Sequence, residues 1–187
     1  MPTEKLSHHE DIAFVTEVTL LAHGVDPSTW GTQGYKTLDH LNSELAAGEA
    51  TLISENGRLI RFTRILGLDV CCNTPDGIRI LQETHQDFKD GRTRSRALPT
   101  SLGEKLTPDE DEATGVERAI VEELGINKVM TISKVSDETR ERPSPSYPGI
   151  LTRSVIHTYV ALIDPSEYNP AGYAEHQSDK STYFEWQ

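Results

Sequence analysis

Two glutamates, Glu122 and Glu123, stand side by side near the end of a segment that closes at Gly125. The segment is helical in pattern. Ala113, Val116, Ile120 and Leu124 recur at spacings of three and four and make one apolar stripe. Asp109 and Glu110 open it behind Pro108, which suits the positive end of a helix dipole. The spacing therefore predicts a helix over residues 110–124. Carboxylates in its last turn oppose the dipole by about a few tenths of a kcal/mol or more, and the adjacent pair also repel each other. A divalent cation removes both costs. Mg²⁺ is suited to this, because it takes oxygen ligands, keeps several waters and bridges one or two carboxylates to phosphate oxygens. The plain alternative for both glutamates is a solvated, charged helix face.

The register around the pair is specific. Seven residues separate Glu110 from Arg118, and Ile120, Glu122, Glu123, Gly125 and Ile126 follow in order. This stretch resembles the box of the Nudix hydrolase superfamily, G-x5-E-x7-R-E-U-x-E-E-x-G-U, where U is aliphatic. The flanks are similar too: a predicted strand at 92–98 ends at Pro99, and a loop at 99–109 leads into the helix. The resemblance spans roughly 51–187, with its motif confined to 99–126. It implies an α/β fold, a Nudix-like α/β/α sandwich with a mixed sheet. It implies metal-dependent hydrolysis of a diphosphate-linked small molecule, such as a nucleoside diphosphate derivative or another organic diphosphate. Glu122, Glu123 and Arg118 are the implied catalytic set. Glu110, Glu122 and Glu123 are the implied ligands of Mg²⁺ or Mn²⁺, and Arg118 is expected to fix the helix by pairing with a box glutamate. Many relatives form homodimers.

Two departures stand out. The loop reads Pro99-Thr100-Ser101-Leu102-Gly103-Glu104-Lys105 and lacks the family's glycine pair, and Gly103 lies one residue too far from Glu110. Ala119 stands where the family's arginine is followed by glutamate. Glu104, from the remodelled loop, is a candidate replacement ligand. Glu112, seven residues before Ala119 on the same helix face, is another. The missing acid also motivates an alternative: a Nudix-fold protein with isomerase-like or cyclase-like activity, or a ligand-binding role.

Arg92, Arg94 and Arg96 alternate on the predicted strand and so share a face. They are candidate substrate-binding residues for phosphate, with pairing to the chain's own carboxylates as the plain reading. The histidines lack metal-ligand spacing. His85 and His157 fall in predicted strands, where structural roles are the first expectation.

The elements that must position these residues read as follows. Residues 10–23 and 37–47 carry amphipathic helical patterns, so residues 1–48 are expected as an N-terminal helical extension and 49–187 as the Nudix-like domain. Strands are expected at 51–54, 58–70, 78–86, 92–98, 127–135 and 154–163, and a loop at 139–151. The aromatic-rich tail, with Tyr183, Phe184 and Trp186, is expected to pack on the core.

The formal net charge is −12, which repels nucleic acid at long range, so a small-molecule partner is expected instead. No run approaches the roughly 18 apolar residues of a membrane span. The start of the chain lacks the layout of a signal peptide, and the adjacent Cys71 and Cys72 are poorly placed to bridge. A cytoplasmic setting follows as the expectation.

Overall fold

A computed structural model of the chain describes residues 10–107 and 109–187, apart from the side chain of Glu10. Pro108, the expected helix opener, and His8 and His9 lie outside the described residues. The chain is an α/β protein that divides into two compact units.

The first unit comprises 10–64, 107, 109 and 138–155 among the described residues. Strand β1 (Glu10–Ile12) is followed by helices α1 (Glu17–Ala22) and α2 (Leu38–Ala46), then strand β2 (Thr51–Glu55). The helix expected over 10–23 is thus a strand and a short helix. Thr16 ends the extended stretch, because its hydroxyl accepts from the Thr19 amide and caps α1. Ile12 pairs across to Leu52, while Val18 and Leu21 face solvent. Helix α2 matches its expected span, and Thr37 with His40 forms a capping box. Val15, Leu20, Trp30, Leu41, Leu52, Leu59 and Tyr147 share one core. Beside it Arg61 grips Glu44 through Nε and Nη2, at 2.9 and 2.6 Å.

The second unit comprises 65–106, 110–137 and 156–187. Three strands contribute to both units: β3 (Arg58–Thr74), β7 (Val129–Pro143) and β8 (Leu151–Ile163). The second unit also holds β4 (Gly77–Phe88), β5 (Thr93–Arg94), β6 (Leu102–Leu106), α3 (Glu112–Leu124), β9 (Tyr173–His176) and β10 (Lys180–Trp186). Antiparallel pairing runs β3 to β4, β4 to β10 and β10 to β9. Strand β6 pairs with β3, and β8 with both β3 and β7. Leu66, Leu68, Val70 and Cys72 alternate into the core and meet Val116, Ala119, Ile120 and Leu124 of α3, Ala161 and Ile163 of β8, and Phe184 of β10. Of the C-terminal aromatics, Phe184 and Trp186 therefore pack on the core, whereas Tyr183 stacks on His85.

Three expectations fail in this unit and its neighbouring segments. The strand over 92–98 shrinks to Thr93–Arg94. The loop over 99–109 contains β6, whose Leu102 and Leu106 are buried on either side of Glu104. Buried Ser101 anchors β6. Its hydroxyl accepts from the Val70 amide at 3.0 Å and donates to the Leu81 carbonyl, and its own amide donates to Asp69. The loop over 139–151 is half strand, because β7 continues to Pro143.

Candidate metal and substrate site

Helix α3 starts two residues later than its sequence pattern suggests, since Asp111 is the cap. The Asp111 carboxylate accepts from the amides of Ala113 and Thr114, both at 3.1 Å. Gly125, at φ 68°, ends the helix in the left-handed conformation that glycine adopts without strain. Glu110 consequently lies before the helix rather than in it. Its carboxylate, only 11 % exposed, is reached by Arg118 from the second turn.

Arg118 is the hub of the box. Its Nε donates to Glu110 Oε1 at 2.8 Å and Nη2 donates to Glu110 Oε2 at 3.2 Å, a two-point grip. Nη1 donates to Glu122 Oε2 at 3.1 Å and lies 3.9 Å from Glu104 Oε1, and Nη2 also reaches the Lys105 carbonyl at 3.3 Å. One guanidinium thus joins the approach to α3, the helix and β6. These bonds, Glu110 first, hold the Arg118 proton far above the ordinary arginine range.

Glu122 is mostly exposed and bonded to Arg118. Glu123, one residue on, is different. Among the described residues it makes no hydrogen bond or ion pair. Burial, and then the charges of Glu104, Glu175 and Glu83, push its carboxyl up to about 8, with Lys180 opposing. Glu104 is also raised, first by burial, although its bond from the Lys105 amide and the charge of Arg118 pull the other way. Carboxylates from β4, β6 and β9 therefore act on the one that α3 presents. A divalent cation fits this set, because it supplies the opposite charge that Glu123 lacks and accepts all-oxygen donors.

Ala119 lies one turn before Glu123 and is buried against the core. An acid there would lose its water among leucines. Glu112 does not substitute for it. Seven residues along a helix is about 10 Å, and Glu112 is held at the far end by Lys134 and by the Tyr159 hydroxyl. The sequence reading did not single out Glu83 and Glu175, which come from separate strands with no spacing in common. For Glu104 a signal existed: Leu102, Glu104 and Leu106 alternate as one face of a strand.

The three arginines do not form one patch. Arg92 pairs with Asp90 at 2.8 Å, Arg94 donates to Gln86 at 2.9 Å, and both cover the Phe88 ring. Arg96 holds both oxygens of the nearly buried Glu83 carboxylate and feels the charge of Glu123. A strand of two residues is too short to keep all three on one face.

No family model and no curated relative matches the chain. Solved structures do align with it. A C. elegans Ap4A hydrolase is 16 % identical, with a TM-score of 0.38, over 67 % of this chain and 79 % of that one. The NUDIX domain of Shewanella oneidensis NrtR, complexed with ADP ribose, is 14 % identical, with a TM-score of 0.38, over 92 % and 82 %. The E. coli ORF135 protein is 17 % identical, with a TM-score of 0.32, over 67 % and 72 %. Likeness this distant decides nothing about the site, which rests on the chain's own residues.

Proposed function

We propose that this protein hydrolyses a diphosphate-linked small molecule with the help of Mg²⁺ or Mn²⁺. The observation that carries the proposal is Glu123, a carboxylate with no hydrogen bond or ion pair among the described residues, on which the charges of Glu104, Glu175 and Glu83 act. Glu123 and Glu104 would hold the ion, with Glu122 and Glu110 completing the acidic set. When bound, the ion supplies charge neutralisation at phosphate oxygens. Arg118 keeps Glu110, Glu104 and Glu122 in register. Arg92 and Arg94, both exposed and outside the acidic set, would turn from Asp90 and Gln86 to a substrate phosphate, and Arg96 positions Glu83. The free thiols of Cys71 and Cys72 suit a reducing, cytoplasmic setting.

The test is product release from ADP-ribose, dinucleoside polyphosphates and prenyl diphosphates with Mg²⁺ or Mn²⁺ present, in the parent and in Glu123→Gln. Turnover of any one, lost in the variant, is expected. The buried Ala119 favours a second reading, in which the fold binds or rearranges its ligand without hydrolysis. Metal binding with silence across all three substrate classes would support that reading and overturn the first.

A further inference from the structure

A second cluster lies at the opposite end of α3, among side chains that the acidic set does not use. Glu112 comes from the first turn of α3, Asp137 from β7 and His157 from β8. His157 Nδ1 is 2.7 Å from Asp137 Oδ1 and 3.2 Å from Glu112 Oε1. One donor atom from each residue lies within 4.8 Å of the other two. Lys134 Nζ sits 2.8 Å from both Glu112 Oε2 and Asp137 Oδ1, and the Tyr159 hydroxyl donates to Glu112. The His157 side chain is only 10 % exposed, and its Nε2 is buried with no partner among the described residues.

With a neutral imidazole the charges of the cluster do not balance. Two carboxylates face one ammonium, and the imidazole points one nitrogen at both acids. A single proton on Nδ1 serves two oxygens poorly, whereas a ring without it turns a lone pair on two carboxylates. A cation at this point satisfies all three donors together.

We propose that Glu112, Asp137 and His157 form a second metal site, for a first-row divalent ion of the zinc class. An imidazole with two carboxylates suits Zn²⁺, Co²⁺ or Ni²⁺ better than Mg²⁺, which prefers oxygen alone. His157 would bind as the neutral ring through Nδ1, with its proton on Nε2. Lys134, 39 % exposed, is the resident cation and would swing out, keeping its proton. Donor atoms around tetrahedral zinc stand about 3.3 Å apart, from bonds of about 2.0–2.1 Å. The closest pair here need open only by roughly half an ångström. Three protein ligands leave the fourth position to water. The site shares no ligand with the acidic set around Glu123, so the two stand or fall separately.

Zn²⁺ binding to the full chain, measured by calorimetry in competition with a chelator, tests the site, together with the visible absorption of bound Co²⁺. Both signals are expected in the parent and in Glu123→Gln. His157→Gln should weaken Zn²⁺ by on the order of a hundredfold or more and abolish the Co²⁺ band. Lys134→Met, which removes the competing ammonium, should tighten Zn²⁺. Asp137 is 55 % exposed, so Asp137→Asn serves as a ligand variant with little risk to folding and should also weaken binding. Zn²⁺ affinity unchanged by Asp137→Asn and His157→Gln, or not tightened by Lys134→Met, would overturn the proposal.

Discussion

Glu123 and Arg118 respond to their surroundings in opposite senses. Glu123 keeps its proton to about 8, whereas the unfolded chain releases it in the ordinary range near 4.5. Between those values the folded state holds a proton that the unfolded state has lost, so metal-free protein should lose stability as pH rises from about 4.5 to about 8. Glu123→Gln should flatten that slope, read as urea midpoints at about pH 5 and about pH 8. Mn²⁺ should bind more tightly over the same rise, because the ligand must be deprotonated. A slope identical in parent and variant would remove Glu123 from this role. Arg118 instead neutralises a nearly buried partner. Arg118→Met removes both guanidinium bonds to the nearly buried Glu110 carboxylate and should cost about 2–4 kcal/mol in chemical denaturation. Arg118→Lys should recover only part of this, since one ammonium cannot replace a two-point guanidinium.

Helix α3 and strand β6 hold their positions through a few contacts that can be removed singly. Asp111→Ala removes the cap of α3 and should lower the melting temperature in a thermal scan. Gly115 has a different role. A Cβ at this position would run into the buried Leu106 side chain of β6. Gly115→Ala should therefore push the helix from the strand and cost about 1–3 kcal/mol. Because β6 carries Glu104, the same change should reduce the thermal shift produced by Mn²⁺. A full Mn²⁺ response in Gly115→Ala would show that Glu104 is not held by this packing.

The net charge of −12 acts on the chain as a whole. Screening by monovalent salt should raise the melting temperature gradually. Mg²⁺ or Mn²⁺ at matched ionic strength should add a saturable increment, about 2.7 kcal/mol when the free ion is a hundredfold above its dissociation constant. An increment equal to that of NaCl would mean screening without a site. Duplex DNA should not retain the protein in a mobility shift at physiological salt, because released counterions do not compensate repulsion between two polyanions. No described helix is long and apolar enough to cross a membrane.

Local patterns were enough to read the box helix, its glycine stop at Gly125, helix α2 and most strand positions, because periodicity acts over a few residues, whereas the cap at Asp111 was missed. The pairing of Arg118 with box glutamates was implied by the resemblance of the motif rather than by periodicity. The start of the chain was not. Val18 and Leu21 carry a helical pattern, but only pairing of Ile12 with Leu52 shows that the preceding segment is a strand. Strand β6 depends likewise on Ser101 bonding to β3 and β4, residues some twenty to thirty positions away. The two acidic centres lie furthest from what sequence could supply. Glu83 and Glu175 act on Glu123, and Asp137 and His157 on Glu112, only because separate strands of one unit are brought together. Residue type and spacing determined that a helix with two adjacent carboxylates in its last turn exists. Long-range strand pairing, which no local spacing encodes, decided which carboxylates and which imidazole share its two ends.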